Sequence, residues 1–569
     1  MADWVAAADA YYDASVDTTG GGVGIPIIWG TDALHGQNKI KGATLFPHNI
    51  GLGAANDPSL LEQIGQITAQ EIAVTGLDWT FAPCLAVVQD DRWGRTYESY
   101  SEDPALVKSL GYHVVRGLQG APDSTTRLSD DNVIATAKHF IGDGGTNLGV
   151  DQGNNLSTEE QLLAIHAQGY LTALEQGAQT VMASYNSWQG VKLHGHKYLL
   201  TDILKGKWHF DGFVVGDWYG HGQIPGCKNN HCPEAINAGV DVLMVPESPN
   251  WKELHANTLK DVQDGMITKE RLDDAVTRIL RVKMRFGLLG PYANKGKPST
   301  RKWAGKTQVL GAPEHREVAR QAVRESLVLL KNNDKILPLP KASKILLAGK
   351  SANNIGNQSG GWTIDWQGNK NVNADFPGST SIYAAFQKAL DPAKGQVTLS
   401  ESGAEATPDY NAAVVVIGET PYAEFGGDIG ATPNRSMENA LLHPEDLVVL
   451  NTIKSRAPDL PIITVFLSGR PLYVNKELNR SKAFIAAWLP GSEGEGITDV
   501  IFGDYEFKGK LSFSWPAAAC QVPINKGDGQ TPLFPFGFGL TTKDAQKLDN
   551  LDEATSGPCA DKDPGQLSL

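Results

Sequence analysis

Twice along this 569-residue chain, short apolar runs alternate with longer amphipathic segments, and a stretch rich in Gly, Pro, Lys and Ser separates the two series. Strands buried on both faces read as continuous runs of branched and aromatic residues, and each needs a following segment to cover the sheet, so this alternation points to parallel α/β architecture. In the first series the runs are IPIIWG from Ile25, WTFAPC from Trp79, VIATAKHF from Val133, TVMASYN from Thr180, GFVVGDW from Gly212 and VDVLMVP from Val240. Six such units in one stretch predict a TIM-type (β/α)8-like barrel over an open sheet.

The intervening helices carry readable ends. Asp57 and Pro58 form an N-cap and first-turn pair, Leu60, Leu61, Ile64 and Ile67 recur at helical spacing, and Gly76 stands at the C-cap. Ser157 with Glu160 reads as a capping box opening the next helix. A last helix, from about Thr268 to Gly287, is expected to bury Leu272, Val276, Ile279 and Val282.

Residues 291–313 read as a linker and a helix is expected from Glu314 to Leu330. The second series follows: KILLAGK from Lys344, AVVVIGE from Ala413, IITVFLSG from Ile462 and AFIAAWLPG from Ala483. The predicted organisation is a barrel domain over 1–290, the linker, a smaller α/β sandwich over 314–545, and a polar tail over 546–569.

The formal net charge of −14 is spread along the chain, which gives no electrostatic reason to approach nucleic acid or anionic lipid. No run nears the roughly 18 apolar residues that a membrane helix needs. A neutral ligand such as a sugar fits better. Met1 to Tyr12 lacks the basic, apolar, small-residue order of a secretory signal. Of the five cysteines, Cys227 and Cys232 frame the loop CKNNHC, readable as a loop disulfide or as two separate thiols; only His231 lies close enough to suggest zinc, which is too few ligands. No cluster has metal-ligand spacing.

In parallel α/β folds the chemistry projects from loops after the strands' C-terminal ends. That rule selects Asp32 after the first run, Lys138 and His139 on the third, Tyr185 on the fourth, Asp217 and Trp218 on the fifth and Met244 on the sixth, with Arg92, Trp93 and Arg95 on another loop. Singly, Asp217 could be a helix cap, His139 a core histidine and the arginines part of an ion-pair network. Their convergence on one barrel mouth is what a polyhydroxylated ligand requires, since charge-assisted hydrogen bonds grip hydroxyls while rings cover C–H faces. In the second domain Glu493 lies in the glycine-rich loop GSEGEGITD, which lacks the spacing of a nucleotide-binding loop, and GGWTIDWQG offers Trp362 and Trp366 as sugar platforms or as an interdomain plug.

Taken together, GTDALHGQN, RWGRTYESYSEDP, KHFIGDGGT, GFVVGDW, GGWTIDWQG and WLPGSEGEG, in that order between about Gly24 and Thr542, resemble glycoside hydrolase family 3, in its two-domain exo-β-glucanase and β-glucosidase branch. The resemblance implies an exo-acting, retaining enzyme that releases glucose from β-1,3/1,4-linked gluco-oligosaccharides and needs no cofactor. It implies Asp217 as nucleophile and Glu493 as general acid/base, with Asp32, Arg95, Lys138 and His139 holding the terminal sugar. Tyr185 and Met244 are expected beside the nucleophile, and Trp218 and Trp366 around the next sugar. Asp217 is expected to be held ionised by Lys138, His139 and Arg95, and Glu493 to stay protonated beside apolar surface.

Departures from the pattern matter. Only about 23 residues precede the segment matching GIPIIWG, which implies a barrel without its first unit or a shortened chain. Gln223 stands in a stretch where plant relatives often have Arg. The neighbouring expectations are a β-N-acetylglucosaminidase of the same family and a non-catalytic sugar-binding relative. Against the first, the stretch after KHFIGDGGT reads NLGVDQGNN, with no histidine; against the second, a receptor needs neither nucleophile nor acid. Export is expected because polymeric glucans lie outside the cytoplasm.

Overall fold

The computed structural model describes residues 1–291, 293–429 and 436–554. In the first domain, β1 (Gly30–Thr31) pairs in parallel with β2 (Trp79–Thr80), and a bridge between Trp79 and Ile134 carries the pairing on to β3 (Thr136–Phe140). From there β4 (Thr180–Ala183) and β5 (Phe213–Val215) continue the parallel series, and Val215 bridges Val242. These segments make one arc of parallel pairing. Trp79, Ile134, Met182, Phe213 and Val215 pack on its inside with Phe81, Val242 and Met244.

The run from Val240 makes only that single bridge. The reason lies in Asp241, whose Oδ2 accepts the Val214 N–H at 2.8 Å and so takes the donor that a ladder carbonyl would use. Helix Pro58–Val74 begins as the sequence implies, with Asp57 capping Leu60 N at 3.0 Å. The capping box falls one residue later than expected: Thr158 and Gln161 exchange hydrogen bonds, and Ser157 instead binds Asn155. Thr268 caps helix Lys269–Arg285, which buries Ala275 and Val282 but leaves Val276 exposed, so the apolar stripe is narrower than the spacing implies. Ahead of the first strand, helix Ala2–Val16 packs Trp4 and Tyr11 against Trp29.

Residues 293–312 lie on the barrel surface, tied by Ser299 N to Asp9 and by Arg301 to buried Asp78. Helix Pro313–Ser326 follows, and the stretch VLLKN, whose first residues the sequence assigns to the same helix, is a strand, β6 (Val328–Asn332). A short apolar run buried on both sides suits a sheet edge as well as a helix, and here sheet pairing wins. The second domain is one six-stranded sheet with β7 (Lys344–Ala348), β8 (Gln396–Leu399), β9 (Ala412–Gly418), β10 (Ile462–Leu467) and β11 (Ala483–Trp488), in the order β8-β7-β9-β10-β11-β6. All neighbours are parallel except β6, which runs antiparallel to β11. Buried layers line both faces, as an α/β sandwich requires.

The first part of the polar tail is docked. Leu548 and Leu551 pack on the second domain, and Asp552 O accepts from Tyr473 and Asn475. Residues 555–569 lie outside the described residues. Cys227 and Cys232 are joined by a disulfide.

Candidate active site

A cleft of about 680 Å³ opens where the strand ends of the barrel meet loops of the second domain. Asp32, Arg95, Lys138, His139, Tyr185, Asp217, Trp218, Met244 and Trp366 all line it. Nine of the ten residues to which the family resemblance gives a role thus share one space. Glu493 does not.

Arg95 comes from a long loop, just ahead of the turn Thr96–Glu98, whereas the other barrel groups lie on or just after strands. Asp32 follows β1, and Lys138 and His139 belong to β3. Lys138 Nζ lies 3.4 Å from Asp32 Oδ1. His139 places Nδ1 2.9 Å from Asp143 Oδ2, and its Nε2 accepts from Arg95 Nη2 at 3.1 Å. With a carboxylate on one nitrogen and a guanidinium donor on the other, the ring is neutral with its proton on Nδ1, and burial together with Arg95 pushes its pKa well below the ordinary histidine value.

Asp217 follows β5. Its backbone N–H donates to His194 Nε2 at 2.9 Å, and its Oδ1 accepts from Trp218 N at 2.7 Å, which fixes the carboxylate on the turn. Oδ2 lies 3.8 Å from His139 Nε2. Burial raises the Asp217 pKa, while Arg95 and Lys138 pull it down. The direction is the reverse of that expected from the neighbouring cations, because desolvation is the larger effect at this depth. Tyr185 donates to Trp218 O at 2.6 Å, and its phenol is pushed up by burial and by Asp217.

From the second domain the carboxyl that enters the cleft is Glu424, on the loop after β9. Arg95 Nη1 donates to Glu424 Oε1 at 3.2 Å while Nε and Nη2 hold Glu98 at 2.9 and 2.8 Å. Burial pushes Glu424 up to about 8, with Asp151, Asp217 and Glu98 adding to the effect and Arg95 opposing it. Burial thus raises both carboxyls, Glu424 to about 8, while Asp217 keeps two opposing cations, Arg95 and Lys138, and surroundings that treat two carboxyls unequally are what dividing nucleophile from acid requires.

Glu493 sits instead at the domain junction. Its Oε1 accepts from Arg316 Nη1 and from Ser492 Oγ, both at 2.8 Å. The loop's glycines serve the junction too: Gly491 has φ +81°, and a Cβ there would strike the Leu45 and Phe46 carbonyls. Ser492 N donates to Leu45 O at 3.0 Å. The glycines do mark close approach, but by protein: barrel backbone at Gly491, Thr380 and Ser381 of the second domain at Gly494, and the helix residues Arg320 and Val323 at Gly496.

The Glu424 loop is anchored on the barrel. Asp428 accepts Gly94 N and Asp151 N, both at 2.8 Å, and Ile429 N donates to Arg92 O at 3.0 Å. Fully buried Arg470 donates to Asp91 O and Arg92 O at 3.0 and 3.2 Å, to Gly427 O at 2.6 Å, and to Glu419 Oε1 at 3.1 Å. Arg92 itself is held by Asp90 away from the cleft lining.

The aromatic groups divide by depth. Trp218, Trp366 and Phe425 are 55%, 41% and 57% exposed at the rim, with Phe425 edge-on to Trp366 at 5.5 Å. Trp362 lies deeper, its Nε1 donating to Glu98 at 2.9 Å. Both tryptophans of GGWTIDWQG line the cleft, Trp366 exposed at the mouth and Trp362 deeper beside Glu98. Gln223 also lines the cleft and donates to Gln152 at 2.8 Å. Glu424, Phe425, Gln152 and Lys39 are not among the residues that the sequence singles out; for Glu424 the available signal was its position after the C-terminal end of β9.

A barrel-like domain and an α/β sandwich that share one cleft lined by carboxyl, cationic and aromatic groups define a two-domain protein with the lining that a sugar site needs. Residues 1–282 match the glycosyl hydrolase family 3 N-terminal domain and residues 327–542 the family 3 C-terminal domain: the chain belongs to glycosyl hydrolase family 3. It is 52% identical to the exo-1,3/1,4-β-glucanase of a Pseudoalteromonas species, with a TM-score of 0.93 over 98% of this chain and 68% of that one. A Listeria innocua β-glucosidase solved in complex with laminaribiose is 26% identical, with a TM-score of 0.78 over 93% of this chain and 73% of that one. The lysosomal β-glucosidase of Dictyostelium discoideum is 30% identical over 91% of this chain, which spans 65% of that protein's length.

Proposed function

We propose that the protein is an exo-acting, retaining β-glucosidase or exo-β-glucanase that releases glucose from the nonreducing end of β-1,3/1,4-linked gluco-oligosaccharides. The observation that carries this reading is the entry of Glu424 from the second domain into the cleft that holds Asp217. The names of the similar proteins, an exo-1,3/1,4-β-glucanase and β-glucosidases, support it.

In this mechanism Asp217, ionised, attacks the anomeric carbon and forms a glycosyl ester. Glu424, protonated, gives its proton to the departing glycosidic oxygen. It is then a carboxylate and takes a proton from the water that cleaves the ester, so that the β configuration is restored. Glu424 here takes the role expected of Glu493, whose carboxylate is committed to Arg316. His139, neutral, and Lys138, paired with Asp32, face the buried end, where they can hold hydroxyls of a terminal sugar. The rim rings can stack the sugar that leaves. Polar grip at depth and aromatic platforms at the mouth favour attack on chain ends. Because the glucans that yield such oligosaccharides lie outside the cytoplasm, this reading includes an extracytoplasmic location.

Product analysis on β-linked glucose disaccharides, with the anomer followed by NMR, tests the proposal. The first glucose released should be β; initial α-glucose, or no release from laminaribiose or cellobiose, overturns it.

A further inference from the structure

Four basic side chains line the cleft, and three have carboxylate partners: Arg95 with Glu98 and Glu424, Lys138 with Asp32, His139 with Asp143. Lys39 has none. Among the described residues no carboxylate oxygen lies within 4.0 Å of its Nζ, and its ammonium makes no hydrogen bond. Its ammonium sits 5.1 Å from the centroid of the Trp362 ring, which Lys138 and Arg95 also face at 5.8 Å each. Its place is fixed by its neighbour Asn38, which accepts from Leu34 N at 2.6 Å, donates to Trp362 O at 2.5 Å, and through its backbone O accepts from Ile364 N at 2.7 Å. The side chain is thus held at the wall of the cleft between the two domains.

An ammonium partly withdrawn from water with none of its three N–H groups bonded to protein is costly to keep, and burial lowers its pKa. The ring face attracts the charge but accepts no directed hydrogen bond. A hydroxyl oxygen of a sugar seated beside Asp32 supplies what the protein leaves out. We infer that Lys39 is a substrate-binding residue that donates a hydrogen bond to a hydroxyl of the nonreducing-end sugar and so helps to set which sugars the cleft accepts. The inference rests on the glycosidase reading above for its substrate, though not for its geometry.

The test compares wild type, Lys39→Met and Lys39→Arg on aryl β-glucoside, its 4-deoxy and 6-deoxy analogues, and aryl β-xyloside, with glucose affinity measured by calorimetry in parallel. A charged hydrogen bond of ordinary strength corresponds to about a 10- to 100-fold loss of kcat/KM on the glucoside in Lys39→Met, partly restored in Lys39→Arg. The specific readout is that one analogue, disfavoured by wild type, is no longer disfavoured by Lys39→Met, because the contact it lacks is already gone. A uniform loss across all four substrates, or no loss, overturns the assignment. Should wild type bind glucose without turning over any glycoside, the glycosidase reading fails and calorimetry still decides Lys39: weakening of about tenfold or more in Lys39→Met supports it, equal affinity overturns it. Wild type that neither binds glucose nor acts on glycosides overturns both.

Discussion

Arg95, on the barrel, and Glu424, on the sandwich domain, are joined by a 3.2 Å hydrogen bond across the domain boundary. The same guanidinium holds Glu98 and touches His139, so one side chain sets both the placement and the charge surroundings of the groups facing Asp217. In the proposed mechanism, catalytic competence depends on docking between the two domains.

Loss of the nucleophile should be near-complete. Asp217→Asn is expected to lower kcat on an aryl β-glucoside by roughly four orders of magnitude or more, the scale seen when a hydrolase loses its nucleophile. Circular dichroism should be unchanged, since the amide keeps the Trp218 N–H contact.

Glu424 and Glu493 should separate cleanly. Glu424→Gln is expected to lower kcat by about 10²- to 10⁴-fold on laminaribiose, where the leaving oxygen needs a proton, and by far less on a nitrophenyl glucoside. Glu493→Gln removes the ion pair with Arg316 and should lower thermal stability, by about 1–3 kcal/mol, with kcat within a few-fold of wild type. The reverse pattern would restore Glu493 as the acid.

The pH profile follows from the same carboxyl. Because Glu424 must be protonated and is pushed up to about 8, kcat/KM should fall on the alkaline side near pH 8, and Glu424→Gln should remove that limb. Burial, which raises Asp217, should move the acid limb upward from where an exposed aspartate would put it. Stability runs the same way for Glu424: between about 4.5 and 8 the folded protein holds a proton that the unfolded chain has lost, so this group's contribution to stability declines as pH rises through that window.

Rim aromatics should act on the departing sugar. Trp218→Ala and Trp366→Ala are each expected to reduce kcat/KM on laminaribiose roughly tenfold, the cost of one well-packed ring, while methyl β-glucoside loses little. Steady-state kinetics on the two substrates would show it.

Anchoring of the acid's loop should be measurable. Asp428 caps Gly94 N and Asp151 N, so Asp428→Ala frees two backbone donors and lets Glu424 wander. kcat should fall about tenfold or more with KM little changed, and Asp428→Asn, which keeps one acceptor, should recover part of it.

The strands were legible because burial on both faces leaves little but branched and aromatic residues, as in Ala412–Gly418 and Ala483–Trp488. The barrel side of the cleft was legible because Asp32, Lys138 and Asp217 follow the strand-end rule. Glu424 was not: it lies six residues beyond the end of its strand, among Tyr422, Ala423 and Phe425, with nothing local to distinguish an acid poised by burial from a surface turn. Conversely, the glycines around Glu493 advertise tight backbone contact but do not say with what. Only the packing of residues 45–46 beneath that loop resolves it.

Since Asp217 and Glu424 come from opposite lobes, neither half of the polypeptide contains both carboxyls of the proposed pair. Fragments divided within residues 293–312 would each be silent, and turnover on mixing them would report reassembly directly. The molecule carries its own complementation assay.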